Sequence, residues 1–278
     1  MMPDAYQNKL TEEEMTAKAS AEYANLLSDP ANAPAAFIVE SVMCCGGMIL
    51  LPDGYLQKMT ALTRASGGLT IADEVQTGFG RSGSDFWAFE AHGVVPDIVT
   101  MGKPFGNGFP LAAVVTSKAV ADSANMLEYF NTFGGNPVAC AVGLEVLSVI
   151  RDEGLQDNAV AVGGYALSQL RELQSAHPQR IGDVRGMGLL LGVEFVEDPE
   201  TRTPDPLTAA YVMQRMKAQG VLVSTDGLHQ HVVKMKPPMC VNESDVDALV
   251  AAMDCSLREL SMRRTSGFGA PGSGLRRM

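Results

Sequence analysis

Two short segments of the chain each carry a chemically useful side chain immediately after an apolar run. Residues 69–72 are followed by Asp73, and residues 97–101 are followed, one glycine later, by Lys103. A lysine amine can bond covalently to a carbonyl carbon and later move protons, and a carboxylate can keep a ring nitrogen protonated. The two segments therefore predict a site at which an amine and an acid act on one bound group.

The elements that must position these residues alternate between strands and helices. Four apolar runs predict buried strands, at 35–39, 69–72, 97–101 and 111–115. Four stretches with helical spacing predict helices, at 11–26, 53–65, 136–151 and 156–174. Such alternation is typical of βαβ units on a mostly parallel sheet, where chemistry collects beyond the carboxyl ends of the strands.

Polar side chains stand just past several of these strands. They are Glu40, Asp73, Glu74, Gln76 and Lys103. Because the strand ends share one edge of the sheet, we expect these side chains to converge. An enzyme that uses pyridoxal 5′-phosphate (PLP) needs such a set, with a lysine for the cofactor aldehyde, an acid against the pyridine nitrogen, and polar groups around the ring and the phosphate.

Four segments of the chain resemble the motifs of class III aminotransferases, which have the PLP-dependent transferase fold type I. The segments are DEVQTGFGR at 73–81, PDIVTMGK at 96–103, FNTFGGNP at 130–137 and VRGMGL at 184–189. They follow the family's order and spacing, and the resemblance covers nearly all of the chain except its tail. It implies an α/β fold with a mostly parallel sheet flanked by helices, plus a smaller C-terminal α+β domain.

The resemblance also implies a role for each residue of the site. Lys103 is the expected Schiff-base lysine and Asp73 the expected partner of the pyridine nitrogen, so both are catalytic candidates that also bind the cofactor. Val75 would pack on one face of the ring, and Gln76 would reach the ring hydroxyl. Thr132 would touch the PLP phosphate of the neighbouring subunit, which requires a homodimer.

The implied activity is amino transfer between an amino acid or amine and an oxo acid or aldehyde. Many family members have an arginine where this chain has Lys234, and that arginine grips the substrate carboxylate and pairs with a glutamate at the position of Glu40. Lysine lacks the planar guanidinium fork, so the exchange is not conservative. Together with residues 40–47 and 222–227, Lys234 resembles the alanine–glyoxylate aminotransferase-like branch. Since that branch includes phospho-lyases acting on ethanolamine phosphate or phosphohydroxylysine, a phospho-lyase is the alternative.

The chain divides into three expected parts. They are a partial large PLP-binding domain at 1–175, a small C-terminal domain at 176–262, and a disordered basic tail at 263–278. Within the small domain the sequence predicts strands at 188–195, 221–223 and 232–233 and helices at 206–219 and 243–261. Family members carry an N-terminal portion with a phosphate-binding loop at a helix N-terminus, and nothing before Glu40 offers such a loop. We therefore expect an N-terminally truncated chain, for which a catalytically incompetent fragment is a further alternative.

Two other patterns could indicate ligands. Residues 78–83 satisfy the GxGxxG pattern of a dinucleotide loop, but Asp73 and Glu74 would put negative charge where a pyrophosphate lies. His229 and His231 could share one side of an extended segment. However, no carboxylate or thiol stands at ligand spacing, so we expect no metal site.

The composition argues against a nucleic-acid-binding protein and against a membrane-spanning one. The net charge of −11 argues against a phosphate-binding surface, which needs clustered Lys and Arg. The longest apolar stretch, around 41–52, is too short to span a bilayer, and no secretory signal opens the chain. Five scattered cysteines suggest reduced thiols. We expect a cytoplasmic protein.

Overall fold

The computed structural model describes residues 3–29, 31, 33–124 and 129–265. The helices are α1 (Ala5–Asn8), α2 (Glu12–Leu27), α3 (Tyr55–Ala65), α4 (Lys118–Ala124), α5 (Pro137–Asp152), α6 (Leu155–Ala176), α7 (Pro206–Ala218) and α8 (Glu243–Thr265). Short 3₁₀ helices cover Ala88–His92 and Lys103–Gly106. The strands are β1 (Ala36–Glu40), β2 (Val42–Met43), β3 (Ile49–Leu50), β4 (Leu69–Asp73), β5 (Ile98–Met101), β6 (Ala113–Thr116), β7 (Ile181–Met187), β8 (Leu190–Asp198), β9 (Thr203–Pro204), β10 (Ser224–Asp226) and β11 (Val232–Met235).

The first sheet has the strand order β1-β4-β5-β6. β1, β4 and β5 are parallel, and β6 runs antiparallel to β5. Glu40 is level with Asp73, and Asp73 is level with Thr100, so the three polar residues form a row across the carboxyl edge of the parallel strands. The sheet and its helices confirm the predicted α/β fold.

Apolar side chains from the amphipathic helices fix the position of this sheet. Met15 of α2 packs with Leu56 and Met59 of α3 in one buried cluster beside β1. Met101 of β5 and Ile150 of α5 belong to a second cluster on the same sheet. Burying each such side chain contributes about 1.5–3 kcal/mol to the stability of the fold. The apolar core therefore holds the strand ends that carry the polar row in place.

The second sheet is antiparallel and has the order β10-β11-β8-β7, with β9 paired to β8. Its core combines side chains from the sheet with side chains from α6, α7 and α8. Leu170, Phe195, Met216 and Met253, one from each of these elements, are all fully buried there. β8 is buried along seven successive residues, which is why its sequence is continuously apolar apart from glycine and Glu194.

Three elements of this region differ from the expectations. β7 is not predicted, and the strand expected at 188–195 is β8. The strand expected at 221–223 lies three residues later, because Ser224 pairs with Lys234 and so fixes β10 beside β11. α8 continues to Thr265, past the start of the tail predicted at 263, and the rest of that tail lies outside the described residues.

Two elements from the first part of the chain pack against the second sheet. α6 contributes Val162 and Leu170 to its core. Gln7 of α1 donates hydrogen bonds to Glu194 and to the carbonyl oxygen of Arg202. The domain boundaries predicted at 175 and 262 are untested by these contacts and stay predictions. Over the described ranges, no helix combines the length and apolar character needed to cross a membrane.

Candidate active site

Asp73 lies in the middle of the polar row, at the end of β4. Its Oδ1 accepts hydrogen bonds from the backbone N–H of Val75 at 3.0 Å and from the Thr100 hydroxyl at 3.3 Å. Both hydrogen bonds fall on the same oxygen. Among the contacts of the described residues, Oδ2 is therefore the atom left to meet a bound group.

Lys103 begins the short 3₁₀ helix that follows β5, and its side chain is exposed. It lines a small cleft of about 240 Å³. The other residues of this cleft are Gln76, Arg81, Pro104, Asn107, Gly108 and Lys236. The structure thus brings together Lys103 and Gln76, which come from successive strand ends, and adds Lys236, which directly follows β11 of the second sheet.

Gln76 is buried and is held from both sides. Its Oε1 accepts a hydrogen bond from the Lys236 amine, and its Nε2 donates to the Cys45 thiol at 3.3 Å. Lys236 is the site residue that the sequence analysis misses. One signal points to it: residues 234–236 read Lys-Met-Lys, and the twofold period of a strand places both amines on one face.

Lys236 sits in a crowded cationic environment. Burial lowers the pKa of its amine, and the positive charges of Lys234 and Lys103 lower it further, against an opposing effect of Cys44. An ammonium that loses water and faces other cations gains from any anion placed near it. The electrostatics of the cleft therefore favour a negatively charged ligand.

The two residues expected to bind substrate are engaged elsewhere in this structure. Lys234 forms an ion pair with Asp226 of β10, and both side chains are largely buried. Glu40 accepts a hydrogen bond at 2.9 Å from the backbone N–H of Cys44. The pair that the family makes between these two positions is not formed here. Their roles in substrate binding stay predictions.

Val75 and Thr132 do not line the cleft that contains Lys103. A Cβ on Gly102 would lie 3.4 Å from Val75, an ordinary van der Waals distance, so the backbone before Lys103 passes beside that side chain. Val75 also lines a larger open hollow of about 1100 Å³, together with Thr100, Ala112 and other residues. Thr132 is exposed in the loop that borders this hollow, and its predicted contact with a partner subunit is untested.

Glu74 has a structural role. It is fully buried, and it accepts hydrogen bonds from the hydroxyls of Ser41 at 2.6 Å and Thr77 at 2.8 Å and from the backbone N–H groups of Ala88 and Phe89. Through these four hydrogen bonds, the Glu74 carboxylate links the segments after β1 and β4 to the 3₁₀ helix at Ala88–His92. Burial raises the pKa of Glu74, and the hydrogen bonds oppose that rise.

Arg81, which lines the cleft, and Arg185, which does not, both hold segments around the site in place. Arg81 donates to the carbonyl oxygen of Pro237 at 2.7 Å. Arg185 pairs with Asp183 at 2.6 Å and with Glu194 at 2.7 Å, and its Nη2 donates to the carbonyl oxygen of Gly47 at 2.7 Å. Arg81 therefore links the loop after β4 to the segment after β11, and Arg185 links β7 to the loop between β2 and β3.

The two alternative ligand patterns have packing explanations in this structure. A Cβ on Gly78 would lie 2.7 Å from the Trp87 ring, and Gly80 and Gly83 are packed against side chains of α6. His231 is buried, with Nε2 3.4 Å from Glu194, and its ring centroid is 5.8 Å from that of His229. Within the described ranges no group of three or more His, Cys, Asp or Glu residues is arranged to hold a metal ion.

The residues present fit the ring half of a PLP molecule. An exposed amine, an amide and a carboxylate with a spare oxygen come from Lys103, Gln76 and Asp73, at the ends of two adjacent parallel strands. These are the donor and acceptor types that an aldehyde, a ring hydroxyl and a pyridinium nitrogen require.

The family model described as "Aminotransferase class-III" matches residues 1–257. The chain belongs to the class III aminotransferase family. It is 48% identical over 240 residues to an "Alanine--glyoxylate aminotransferase 2-like" protein of Drosophila melanogaster, a match that covers 85% of this chain and 48% of that protein. It is 42% identical over 258 residues to "Ethanolamine-phosphate phospho-lyase homolog 1" of Caenorhabditis elegans, covering 89% and 55%. The chain thus spans about half the length of the curated relatives it matches.

Solved structures of transaminases have the same fold. One described as "Transaminase with L-ala" superimposes with a TM-score of 0.87 at 31% identity, covering 94% of this chain and 64% of that one. A phospholyase from Arthrobacter in complex with phosphoethanolamine superimposes with a TM-score of 0.81 at 37% identity, covering 89% and 58%. The family and these neighbours imply PLP as the cofactor, which confirms the cofactor prediction.

Proposed function

We propose that this chain is an aminotransferase that uses PLP bound to Lys103 to move an amino group between an amine or amino acid and an oxo acid or aldehyde. The observation that carries the proposal is the cleft in which the exposed Lys103 amine lies with Gln76 beside the Asp73 strand end. The alanine–glyoxylate name of the Drosophila relative supports this reaction class.

Each residue has a defined task in this proposal. PLP supplies an electron-withdrawing ring that weakens bonds at the substrate carbon. Asp73 would hold the ring nitrogen through Oδ2, and Gln76 would donate its amide N–H to the ring hydroxyl. Lys103 would hold the cofactor through its amine, and the same amine, when free, would move a proton at the substrate carbon. Val75 limits the position of the ring from one side.

Covalent labelling tests the proposal directly. The chain is incubated with PLP, reduced with borohydride and digested, and the labelled peptide is identified by mass spectrometry. We expect the label on Lys103, and we expect Lys103→Ala to lose it while Lys118→Ala, a change in an exposed lysine of α4, keeps it. Equal labelling of the Lys103→Ala chain, or none in the parent, would contradict the proposal and favour a catalytically incompetent fragment.

A phospho-lyase is the second candidate. The cations of the cleft, Lys236 and Arg81 beside Lys103, favour it because a phosphate leaving group is stabilised by positive charge. The names of the Caenorhabditis and Arthrobacter proteins point the same way. Supplying the PLP-treated chain with ethanolamine phosphate would release phosphate and acetaldehyde in a phospho-lyase, whereas an aminotransferase would release neither.

The assembly and location of the protein are part of the proposal. A homodimer would let Thr132 of one subunit reach the PLP phosphate of the other, and analytical ultracentrifugation would measure it. A cytoplasmic location agrees with the scattered thiols and the acidic charge. Small amines or amino acids, rather than nucleic acids or membranes, are the proposed partners.

A further inference from the structure

The cleft beside Lys103 carries more positive charge than the proposed chemistry needs. Among the described residues that line it are three cations, Arg81, Lys103 and Lys236, and no carboxylate. In the proposed function Lys103 is bonded to the cofactor, and the positive charges of Arg81 and Lys236 then have no assigned role.

The cations in and near the cleft differ in the partners that they already have. Lys234, the residue at the family's carboxylate-binding position, is already paired with Asp226. Arg81 donates to the Pro237 carbonyl oxygen. Lys236 has a neutral acceptor, Gln76, and since an ammonium carries three donors, two N–H groups remain for a ligand within the described contacts.

We propose that Lys236, rather than Lys234, binds the anionic group of the substrate amine. The inference rests on the proposed function, because it places the substrate amine at Lys103. The hydrogen bond between Lys236 and Gln76 then sets the distance between the substrate anion and the cofactor ring. The site would select small amines that carry a phosphate or a carboxylate over uncharged amines of the same size.

Ligand binding to the parent chain and three variants tests this assignment. Isothermal titration calorimetry is run with ethanolamine phosphate, β-alanine and ethanolamine, so that phosphate, carboxylate and uncharged arms are compared. We expect Lys236→Met to weaken binding of the preferred anionic amine by about ten-fold or more and to leave ethanolamine within about two-fold. Lys234→Met should change the same affinity by less than about three-fold, and Lys236→Arg should keep the preference for the anion.

Several results would overturn the assignment. One is an unchanged affinity for the anionic amine in a Lys236→Met chain that keeps the parent's melting temperature. Another is a larger loss of that affinity in Lys234→Met than in Lys236→Met. A third is a parent chain that binds anionic and uncharged amines equally, or binds neither. PLP labelling of Lys103 in the same preparations separates the two proposals. A labelled parent without a Lys236 effect refutes this inference alone, and a Lys236 effect without labelling refutes the proposed function alone.

Discussion

At the scale of single residues, the two oxygens of the Asp73 carboxylate have different roles. Asp73 uses Oδ1 to hold the Val75 N–H and the Thr100 hydroxyl, and these bonds orient Oδ2. A neutral asparagine could keep the Oδ1 acceptor and its geometry. The charge of Asp73 is needed only when a cationic ring nitrogen lies against it.

Asp73→Asn should therefore separate stability from cofactor binding. We expect the melting temperature to stay close to that of the parent, because the Oδ1 hydrogen bonds survive. We expect PLP to bind about ten-fold more weakly, because a charge-assisted hydrogen bond of roughly 1.5–3 kcal/mol becomes a neutral one. A PLP titration followed by absorbance measures the affinity. Parent-like affinity in Asp73→Asn would mean that this carboxylate does not face the ring.

Sequence reasoning reaches some residues of the site and not others, for a physical reason. Asp73 ends a parallel strand, and Gln76 and Lys103 come within three residues of a parallel strand end, so local strand order is enough to predict that they lie at one sheet edge. Lys236 follows an antiparallel strand of the other sheet, and it meets Gln76 only once the two sheets are packed together. A contact 160 residues apart in the chain leaves no local pattern beyond the Lys-Met-Lys period.

At the scale of elements, α6 shows how close packing constrains the sequence. Gly163 is buried where α6 crosses the turn between β7 and β8, and a Cβ there would collide with the backbone of Gly188. Gly164, the next residue of the same helix, is exposed and has no heavy atom within 4 Å of the place a Cβ would occupy. One glycine is required by packing, and its neighbour is not.

The two glycines provide a matched pair of substitutions with opposite expected signs. Gly164→Ala should raise the free energy of unfolding by about 0.5–1 kcal/mol, because alanine favours the helix and glycine costs backbone entropy. Gly163→Ala should lower it by about 1–3 kcal/mol, because helix and turn must move apart. Urea unfolding followed by circular dichroism measures both. Stabilisation of both variants would show that the contact between α6 and Gly188 is loose.

The predicted helices lie close to the observed ones, whereas two strands of the second sheet were missed or displaced. Helices such as α5 and α7 begin at a proline after a capping residue, and that local signal is visible in the sequence. β7 contains two glycines, an aspartate and an arginine, so it has no apolar alternation. Cross-strand pairing to β8 and the ion pairs of Arg185 hold it in place, and these are set by tertiary structure.

At the scale of the whole molecule, a buried charge network joins the second sheet to α1 and to the loop between β2 and β3. Glu194 on β8 is fully buried and pairs with Arg185, which in turn donates to the Gly47 carbonyl oxygen in the loop after β2. Gln7 of α1 donates to Glu194 as well. Because removing one partner of a buried pair leaves the other charge uncompensated, this network should contribute to the orientation of the second sheet, and thus of Lys236, relative to the first.

The network predicts a pH dependence of stability. Burial alone would raise the pKa of Glu194, but the neighbouring His231, the charge of Arg185 and hydrogen bonds from Gln7 and Arg185 outweigh it and lower the pKa from 4.5 to about 2. Since the folded-state pKa lies below the unfolded one, the stabilisation is fully present above pH of about 4.5 and is lost as the pH falls towards about 2.

The isosteric Glu194→Gln variant lacks this dependence. The difference in free energy of unfolding between parent and variant, measured in urea at successive pH values, should therefore shrink from neutral pH to about pH 3. Carboxylates remote from Glu194 titrate equally in both chains, so a difference that stays constant over this range would show that Glu194 is not held ionised in the folded chain.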